Sequence, residues 1–403
     1  MAFDGSKEPL ALRLSDRVQR IQPSPTLAVT ARAAELRDQG RDVIGLGAGE
    51  PDFTTPEPIR AAAKAAIDGG HTKYTPVDGM ASLKRAITAK FRTDNGLEYG
   101  SDEVIVSTGG KQVVYNLAQA LLQEGDEAVI PAPYWVSYPD IVKLAGAEPA
   151  TIETDDTAGF KISAYQLDSA LNERTRLLIL NSPSNPTGAL YSEAELEALA
   201  EVLRKHPQVV ILTDDIYEKI LLGSTPFRNI LNVAPDLKDR TVVLNGVSKA
   251  FAMTGWRIGY AAGPRDLIGA MKKLQSQSTS NPASISQHAA LAALESDPEL
   301  IQPMVEAFRE RHNFVSEALN ALPYVSCRRA EGAFYLFPSF HSATEALGLE
   351  DDVALATHLL DQAGVALVPG SAFGAPGYLR LSFATDLDSL KAAMDRIGKV
   401  LAG

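Results

Sequence analysis

The sequence contains very little cysteine: Cys327 is the only one in 403 residues. A disulfide within the chain is therefore excluded, which favours a reducing compartment. Long hydrophobic runs are also missing, and the segment from Met1 to Glu8 lacks the apolar stretch of a signal peptide. From these absences we expect a cytoplasmic protein.

Basic residues are too few to balance the acidic ones, 38 against 50, and the formal net charge is −12. This balance argues against nucleic acid and anionic membranes as partners. An anionic substrate must then be bound by individual arginines and lysines. Two common catalytic patterns are missing as well, since the six histidines lack zinc-type spacing and no Gly-x-Ser-x-Gly motif occurs.

The order of apolar segments predicts the fold class. Between about residues 100 and 265, continuous β-branched runs alternate with amphipathic helical patterns. Continuous runs are typical of strands buried on both faces, so this order predicts an α/β fold with a mostly parallel sheet between helices. From about Asp297 onward, long helical patterns and short strands, at 333–336 and 379–383, predict a smaller α+β domain.

The length of the chain indicates two domains, because one hydrophobic core rarely serves so many residues. We expect a large domain at 61–291 and a small domain formed by 1–60 and 292–403. The first 50 or so residues are expected to be loop-rich and to pack with the C-terminal part.

The most informative stretch runs from Asn245 to Gly259 and follows a strand-like run at 241–244. In it, Lys249 lies among small residues and glycines, with Arg257 eight positions later. A lysine amine in a partly desolvated pocket becomes a nucleophile toward aldehydes, and the planar guanidinium of an arginine can bind a phosphate. A lone lysine in a turn is usually an ordinary surface residue. An amine together with a phosphate clamp, however, is what pyridoxal phosphate (PLP) requires.

A glycine-rich turn at 107–112 joins a predicted strand to a predicted helix. Backbone N–H groups at a helix N-terminus favour a bound anion, so a phosphate site at this turn is physically reasonable. The turn is not a Walker P-loop, because Gln112 replaces the hydroxyl residue of that motif.

Two acidic residues, Asp214 and Asp215, follow the predicted strand at 209–212. Such a pair can form a metal site or a helix N-cap. Alternatively, one carboxylate faces the pyridine nitrogen of the cofactor and keeps it protonated. Tyr217, three positions after Asp214, is then a candidate donor to the 3′ oxygen of the same ring.

Two further side chains each allow a structural and a functional interpretation. Arg380 lies between apolar residues in a predicted strand at 379–383, where it needs either a structural salt bridge or a substrate carboxylate. Trp135 is one of two tryptophans. Core packing is the usual fate of a tryptophan, whereas stacking on the cofactor ring would exclude water there.

In order and spacing, the motifs from residue 26 to 384 resemble class I, fold type I PLP-dependent aminotransferases. They are most similar to the bacterial and plant aspartate (and prephenate) aminotransferase subgroup. The resemblance implies a large domain with a mostly parallel sheet and a smaller α+β domain. It implies transfer of an amino group between L-aspartate and 2-oxoglutarate, with prephenate as a further candidate substrate.

The resemblance also implies residue roles. Lys249 is the catalytic residue, which binds PLP as a Schiff base and moves the substrate proton. The expected cofactor contacts are Gly109, Gly110, Lys111, Trp135, Asn185, Asp214, Tyr217, Lys249, Arg257 and Tyr74. The expected substrate contacts are Gly49, Trp135, Asn185, Arg380, Thr26 and Lys111, and no metal is expected.

Several of these roles are specific. Asn185, in the loop 181–188, is expected to donate to the 3′ oxygen of PLP, and Arg380 to clamp the α-carboxylate of the substrate. Thr26, within Pro23-Ser24-Pro25-Thr26, and Lys111 are expected to hold a distal carboxylate. Tyr74 matches a tyrosine that reaches the phosphate of a second copy, which implies a homodimer with shared active sites.

Alternatives remain at this level. Within the same fold, an aromatic or kynurenine aminotransferase or a carbon–sulfur lyase is possible, because Pro25 shapes the pocket differently from a smaller residue. A non-catalytic PLP-binding regulator would carry a DNA-binding extension, for which the chain has neither the length nor a basic patch. A nicotinamide dehydrogenase is disfavoured because Glu50 stands where a dinucleotide fingerprint needs its third glycine.

Overall fold

The computed structural model describes residues 12–23 and 25–403. The α-helices of this part are α1 (Asp16–Gln19), α2 (Pro25–Asp38), α3 (Glu57–Asp68), α4 (Ala81–Asn95), α5 (Gly110–Leu121), α6 (Ser137–Leu144), α7 (Ala164–Ala170), α8 (Glu193–Arg204), α9 (Ile230–Val233), α10 (Arg265–Ser276), α11 (Ser284–Leu294), α12 (Gln302–Ala321), α13 (His341–Ala346), α14 (Asp352–Ala363) and α15 (Leu387–Ala402). The strands are β1 (Ile44–Gly45), β2 (Val104–Ser107), β3 (Glu127–Pro131), β4 (Glu148–Ile152), β5 (Thr175–Asn181), β6 (Val210–Asp214), β7 (Thr241–Gly246), β8 (Gly259–Ala262), β9 (Tyr335–Leu336), β10 (Val365–Ala366), β11 (Val368–Pro369) and β12 (Leu379–Ser382).

The main sheet has seven strands in the order β2-β8-β7-β6-β5-β3-β4. The pairs among β3 to β7 are parallel, and β8 runs antiparallel to both β2 and β7. The predicted mostly parallel sheet between helices is therefore confirmed. Because parallel strands point the same way, the residues that follow β2, β5, β6 and β7 meet at one edge, where ligands bind in such folds.

Both faces of this sheet are buried, as the continuous apolar runs predict. In β5, Leu178 and Leu180 pack into one hydrophobic cluster, while Leu177 and Ile179 pack into the cluster on the opposite face. Helices cover each face and leave the strand ends free to carry polar groups.

The C-terminal part forms smaller sheets with its own core. Strands β11, β12 and β9 form an antiparallel sheet, in which Ser382 pairs with Tyr335. A separate hydrophobic cluster packs α12, α14 and α15 against these strands, with Phe308, Leu359 and Ile397 fully buried. The predicted strand at 333–336 is shorter in the structure and keeps only its last two residues.

The expectation that the first 50 or so residues are loop-rich is wrong for residues 25–38 of this segment. Helix α2 takes up residues 25–38, because alanine, leucine, arginine and glutamate are strong helix formers and Pro25 sits at the first helical position, where proline is tolerated. The segment does pack with the C-terminal part: Ile44 pairs with Val365, and Leu36 packs on Leu360 and Ala366.

Residues 1–11 and Ser24, which belong to the expected small domain, lie outside the described residues. Within the part of the chain that the structure describes, no helix is both long and apolar enough to cross a membrane.

Candidate active site

Four strands deliver the candidate residues to one edge of the main sheet. Asn181 ends β5 and pairs in register with Asp214, the last residue of β6. The Asn181 side-chain amide also donates to the Asp214 carbonyl oxygen at 2.9 Å, which ties the two strand ends together. Lys249 follows β7, and Gly110 begins α5 after β2. The fold therefore brings together motifs that are far apart in the sequence.

Lys249 points into the centre of this edge. Its Nζ donates to the carbonyl oxygen of Gly49 at 2.6 Å and lies 5.9 Å from the ring centroids of Tyr217 and Phe334. Burial, followed by the nearby cationic Arg380, lowers the pKa of Lys249 to about 8. An amine with this pKa is neutral in a useful fraction of molecules near neutral pH, as a nucleophile toward an aldehyde requires.

Asp214 is a buried carboxylate with two hydrogen-bond donors. The Tyr138 hydroxyl donates to it at 2.6 Å and the backbone N–H of Ile216 at 3.3 Å. Burial raises its pKa to about 6 in spite of these bonds. A cationic partner would stabilise the ionised form of such a carboxylate. A protonated pyridine nitrogen is a partner of this kind.

The structure separates Asp215 from Asp214. Asp215 accepts hydrogen bonds from Thr213, at 2.6 Å, and from Asn229, and burial raises its pKa to about 8. Among the described residues, no group of three or more histidine, cysteine, aspartate or glutamate side chains is placed to hold a metal ion. The two neighbouring carboxylates therefore have different hydrogen-bond partners.

Replacing Asp214 by asparagine is expected to change how the stability of the PLP-free protein depends on pH. The folded-state pKa of Asp214, about 6, lies above its ordinary value of 3.8. Its contribution to the free energy of unfolding, about 3 kcal/mol, is therefore fully present below pH 4 and is lost as pH rises through 6. Urea unfolding of both proteins at several pH values measures this loss, which Asp214→Asn should remove.

The control for this prediction is Asp236→Asn. The bidentate contact with Arg204 lowers the pKa of Asp236, so this variant should lose stability relative to the wild type above the ordinary aspartate pKa and not below it. The same pH dependence of the unfolding free energy in the wild type and in Asp214→Asn would contradict the buried, destabilised carboxylate described above.

Arg380 is buried, with 2% of its surface exposed, and has no carboxylate partner among the described residues. One Nη donates to the Asn185 side-chain oxygen at 2.9 Å and the other to the Gly47 carbonyl at 2.7 Å. Within the described residues, the Nε atom has no hydrogen-bond partner. The described part of the chain therefore offers Arg380 no structural salt bridge, and its buried charge is available to an anionic ligand.

The glycine-rich turn packs against Arg257. Gly109 has a φ of 84° and precedes the first residue of α5. A Cβ atom at Gly109 would lie 2.4 Å from an Nη atom of Arg257, and the positive φ would strain any other residue there. Arg257 itself adopts the left-handed conformation, with a φ of 57°, and donates to the Thr254 carbonyl at 2.9 Å. The helix N-terminus and the guanidinium together form an anion-binding corner.

Lys111 and Trp135 lie side by side next to this corner. The Nζ atom of Lys111 is 5.0 Å from the Trp135 ring centroid, and the indole packs edge-on against Tyr138 at 5.2 Å. Burial, and then the charge of Arg257, lower the pKa of Lys111. Trp135 rests on the hydrophobic core but stays partly exposed, which leaves ring surface for a ligand.

One predicted site residue is not brought to this centre within one chain. Tyr74 lies between α3 and α4, and the residue is 92% exposed. Thr26 is the second residue of α2, three positions before Val29, which lies against Gly47. Ser24, from the same motif, lies outside the described residues.

Sequence reasoning missed three functional neighbours. Tyr138 binds Asp214, Gly47 supplies a carbonyl to Arg380, and Tyr335 stacks on the Arg380 guanidinium with its ring centroid 4.6 Å away. Tyr138 could have been found from its position in the aromatic run after β3. Tyr335 lies in a predicted strand that carries no motif, so only the pairing of β9 with β12 shows its place.

The chain is similar to known proteins over most of its length. A family model described as aminotransferase class I and II matches residues 41–397. The chain belongs to the class I and II aminotransferase family. This aminotransferase is 55% identical over 397 residues to a Nitrosomonas europaea protein named aspartate/prephenate aminotransferase. The matched region covers 97% of this chain and 100% of the relative.

Solved structures agree in fold. An aspartate aminotransferase from Rhizobium meliloti is 45% identical, with a TM-score of 0.93 over 97% of this chain and 99% of that one. An aspartate aminotransferase from Thermus thermophilus, solved with maleate, is 44% identical, with a TM-score of 0.91 over 96% of this chain and 100% of that one. The fold is therefore that of a fold type I transferase, and the protein is a PLP-dependent aminotransferase.

The residues at the sheet edge fit PLP. Lys249 offers an amine of lowered pKa, Asp214 a buried carboxylate, and the corner of Gly109 and Arg257 offers donors for an anion. An aldehyde, a basic ring nitrogen and a phosphate are the three groups that such residues bind. When bound, PLP supplies an electron sink for the negative charge that forms when the substrate loses its Cα proton.

Proposed function

We propose that this aminotransferase transfers the amino group between L-aspartate and 2-oxoglutarate. The observation that carries the proposal is the pair of separate cations near Lys249. Arg380 is buried and has no carboxylate partner among the described residues, and Lys111 lies next to Trp135. Two separate cations suit substrates with two carboxylates, such as aspartate and glutamate and their 2-oxo acids. The similar Thermus thermophilus enzyme was solved with maleate, which is also a dicarboxylate.

Each residue has a defined task in this proposal. Arg380 binds the α-carboxylate and so orients the substrate, with Asn185 and the Gly47 carbonyl holding the guanidinium in place. Lys249, when free of the cofactor, would take the Cα proton at its Nζ and deliver it to the C4′ carbon of the cofactor, and in the reverse half-reaction the same Nζ would return a proton to Cα. Trp135 covers one side of the site and excludes water.

The remaining roles concern cofactor and substrate binding. Asn185 and Tyr217 act as donors toward the cofactor ring, and Asp214 faces its nitrogen. Gly109, Gly110, Lys111 and Arg257 hold the phosphate side. Gly49 lets the backbone approach the substrate carboxylate. Thr26 adds a hydroxyl for the distal carboxylate.

The assembly and domain division are part of the same proposal. The exposed Tyr74 completes the phosphate site of a second copy, so the active unit is a homodimer. The large domain comprises residues 61–291, and the small domain comprises residues 1–60 and 292–403. The location is the cytoplasm, in line with a single, unpaired cysteine.

Replacing Lys111 by alanine tests the substrate class. The variant is expected to raise the KM for aspartate by about 10- to 100-fold, the effect of losing a charge-assisted hydrogen bond. The KM for phenylalanine, which has no distal carboxylate, should change by less than about threefold. Both are measured with saturating PLP and 2-oxoglutarate, so that weaker cofactor binding does not contribute.

Lys143→Ala is the matched control, since Lys143 lies on α6 and pairs at the surface with Asp140 at 3.7 Å. It should leave both KM values unchanged. Equal rises for aspartate and phenylalanine in Lys111→Ala would remove Lys111 from distal-carboxylate binding. A wild-type preference for phenylalanine or kynurenine as donor would favour the aromatic aminotransferase instead.

Prephenate is a second candidate substrate, favoured by the name of the Nitrosomonas europaea relative. Its ring carries a second carboxylate, which Lys111 would bind as it binds that of aspartate. The wild type is therefore tested with oxaloacetate, 2-oxoglutarate and prephenate as acceptors. Turnover of the first two without prephenate would restrict the function to aspartate transamination.

A further inference from the structure

Tyr335 contacts three functional groups at once. Its hydroxyl oxygen lies 3.0 Å from that of Tyr217, and its ring centroid lies 4.6 Å from the guanidinium carbon of Arg380. A Cβ atom at Gly49, whose carbonyl holds Lys249, would lie 3.3 Å from the same hydroxyl. The side chain therefore lies where the carboxylate site, the lysine and the cofactor-facing tyrosine meet.

The two tyrosines share one hydrogen bond but carry two protons. Burial raises the pKa of both hydroxyls, so both stay protonated at neutral pH. No other hydrogen bond involves either hydroxyl in the described part of the chain. One of the two protons is therefore left for another acceptor, and the direction of the shared bond decides which tyrosine keeps it.

The Arg380 charge favours Tyr335 as the donor of the shared bond. A cation over the face of a phenol ring withdraws electron density and makes the hydroxyl a stronger donor. The guanidinium lies 4.6 Å from the ring of Tyr335, whereas the cation over the ring of Tyr217 is the Lys249 amine, which is farther away, at 5.9 Å, and has a pKa lowered to about 8. If Tyr335 donates, the proton of Tyr217 is free to point away from it.

We propose that Tyr335 is a positioning residue whose hydroxyl donates to Tyr217 and so directs the proton of Tyr217 toward the 3′ oxygen of PLP, while its ring supports Arg380. This inference rests on the proposed role of Tyr217. A donor at the 3′ oxygen stabilises its anionic form and thereby lowers the pKa of the nitrogen that links Lys249 to the cofactor. Tyr335 therefore sets that pKa through Tyr217.

The test is a pH titration of the visible absorption band of the PLP-loaded protein. Tyr335→Phe, which keeps the ring and removes the hydroxyl, should raise the apparent pKa by about half a unit to one unit, the effect of one lost hydrogen bond. Tyr217→Phe should raise it further. In the double variant, Tyr335→Phe should add nothing to the effect of Tyr217→Phe, because its path runs through that hydroxyl.

The ring is tested with maleate as the probe. Tyr335→Phe should leave the maleate dissociation constant unchanged, whereas Tyr335→Leu, which removes the stacked ring, should weaken binding about tenfold. Tyr99→Phe is the matched control, since the Tyr99 hydroxyl is buried without a hydrogen-bond partner among the described residues and its ring packs against Phe91 in the hydrophobic core. It should change neither the apparent pKa nor maleate binding.

An unchanged pKa in Tyr335→Phe, or an equal shift with and without the Tyr217 hydroxyl, would overturn the inference. Aspartate turnover, measured on the same samples, separates this failure from failure of the proposed function. Wild-type turnover of aspartate without a pKa shift in Tyr335→Phe refutes only the role of Tyr335. A shift that follows the double-variant pattern in an enzyme inactive on aspartate refutes the substrate proposal and supports the role of Tyr335.

Discussion

Lys249→Ala is expected to lower the rate of transamination by at least about 10⁴-fold, because it removes the group that moves the substrate proton. The same variant should lose the pH-dependent visible band of the cofactor, since no amine remains to bind the aldehyde covalently. Both are measured on protein incubated with excess PLP, by stopped-flow mixing with aspartate and by absorbance.

The lowered pKa of Lys249 explains why another cation cannot replace it. Lys249→Arg keeps a positive charge near Gly49 but always remains protonated, so it should be as inactive as Lys249→Ala. Lys205→Ala, a change at an exposed lysine at the end of α8, should have normal activity and a normal spectrum. A Lys249→Ala protein with more than about one hundredth of the wild-type rate would contradict the assigned role.

Arg380→Leu is expected to lower kcat/KM for aspartate by about 100- to 1000-fold, the range for truncating one partner of a buried charge pair. The unfolding free energy of the PLP-free variant should stay within about 1 kcal/mol of the wild type or rise, because a buried guanidinium without a carboxylate costs stability. Steady-state kinetics and urea unfolding measure the two effects separately.

Arg240→Leu is the matched control for this prediction. Arg240 is also largely buried, but it donates to the backbone carbonyls of Leu203, His206 and Val209. Its loss should therefore reduce stability and leave kcat/KM for aspartate nearly unchanged. A large loss of stability in Arg380→Leu, with activity retained in the molecules that fold, would mean that Arg380 is a structural residue.

Much of the site is predictable because each motif follows a strand of the parallel sheet. Continuous apolar runs identify β5, β6 and β7, and topology then brings Asn185, Asp214 and Lys249 to the same edge. The sequence alone cannot decide whether Arg380 has a salt-bridge partner. That depends on the packing of β12 against β9 and the segment around Gly47, which are far apart along the chain.

One wrong prediction and one omission have physical causes. The chain before residue 50 is not loop-rich throughout, because Pro25 at a helix start is compatible with the strong helix formers that follow it. Tyr335 gives no sequence signal, because an aromatic residue in an apolar strand is normal core composition. Its role follows only from two contacts in the structure, with Arg380 and with Tyr217.

The central claim is that PLP binds covalently to the side-chain amine of Lys249. Borohydride reduction of the PLP-loaded protein, followed by proteolysis and mass mapping, measures this directly. The predicted result is a single reduced pyridoxyl adduct on the peptide that contains Lys249, and no adduct there after the same treatment of Lys249→Ala. A label on another lysine, or none on protein that retains its cofactor, would contradict the claim.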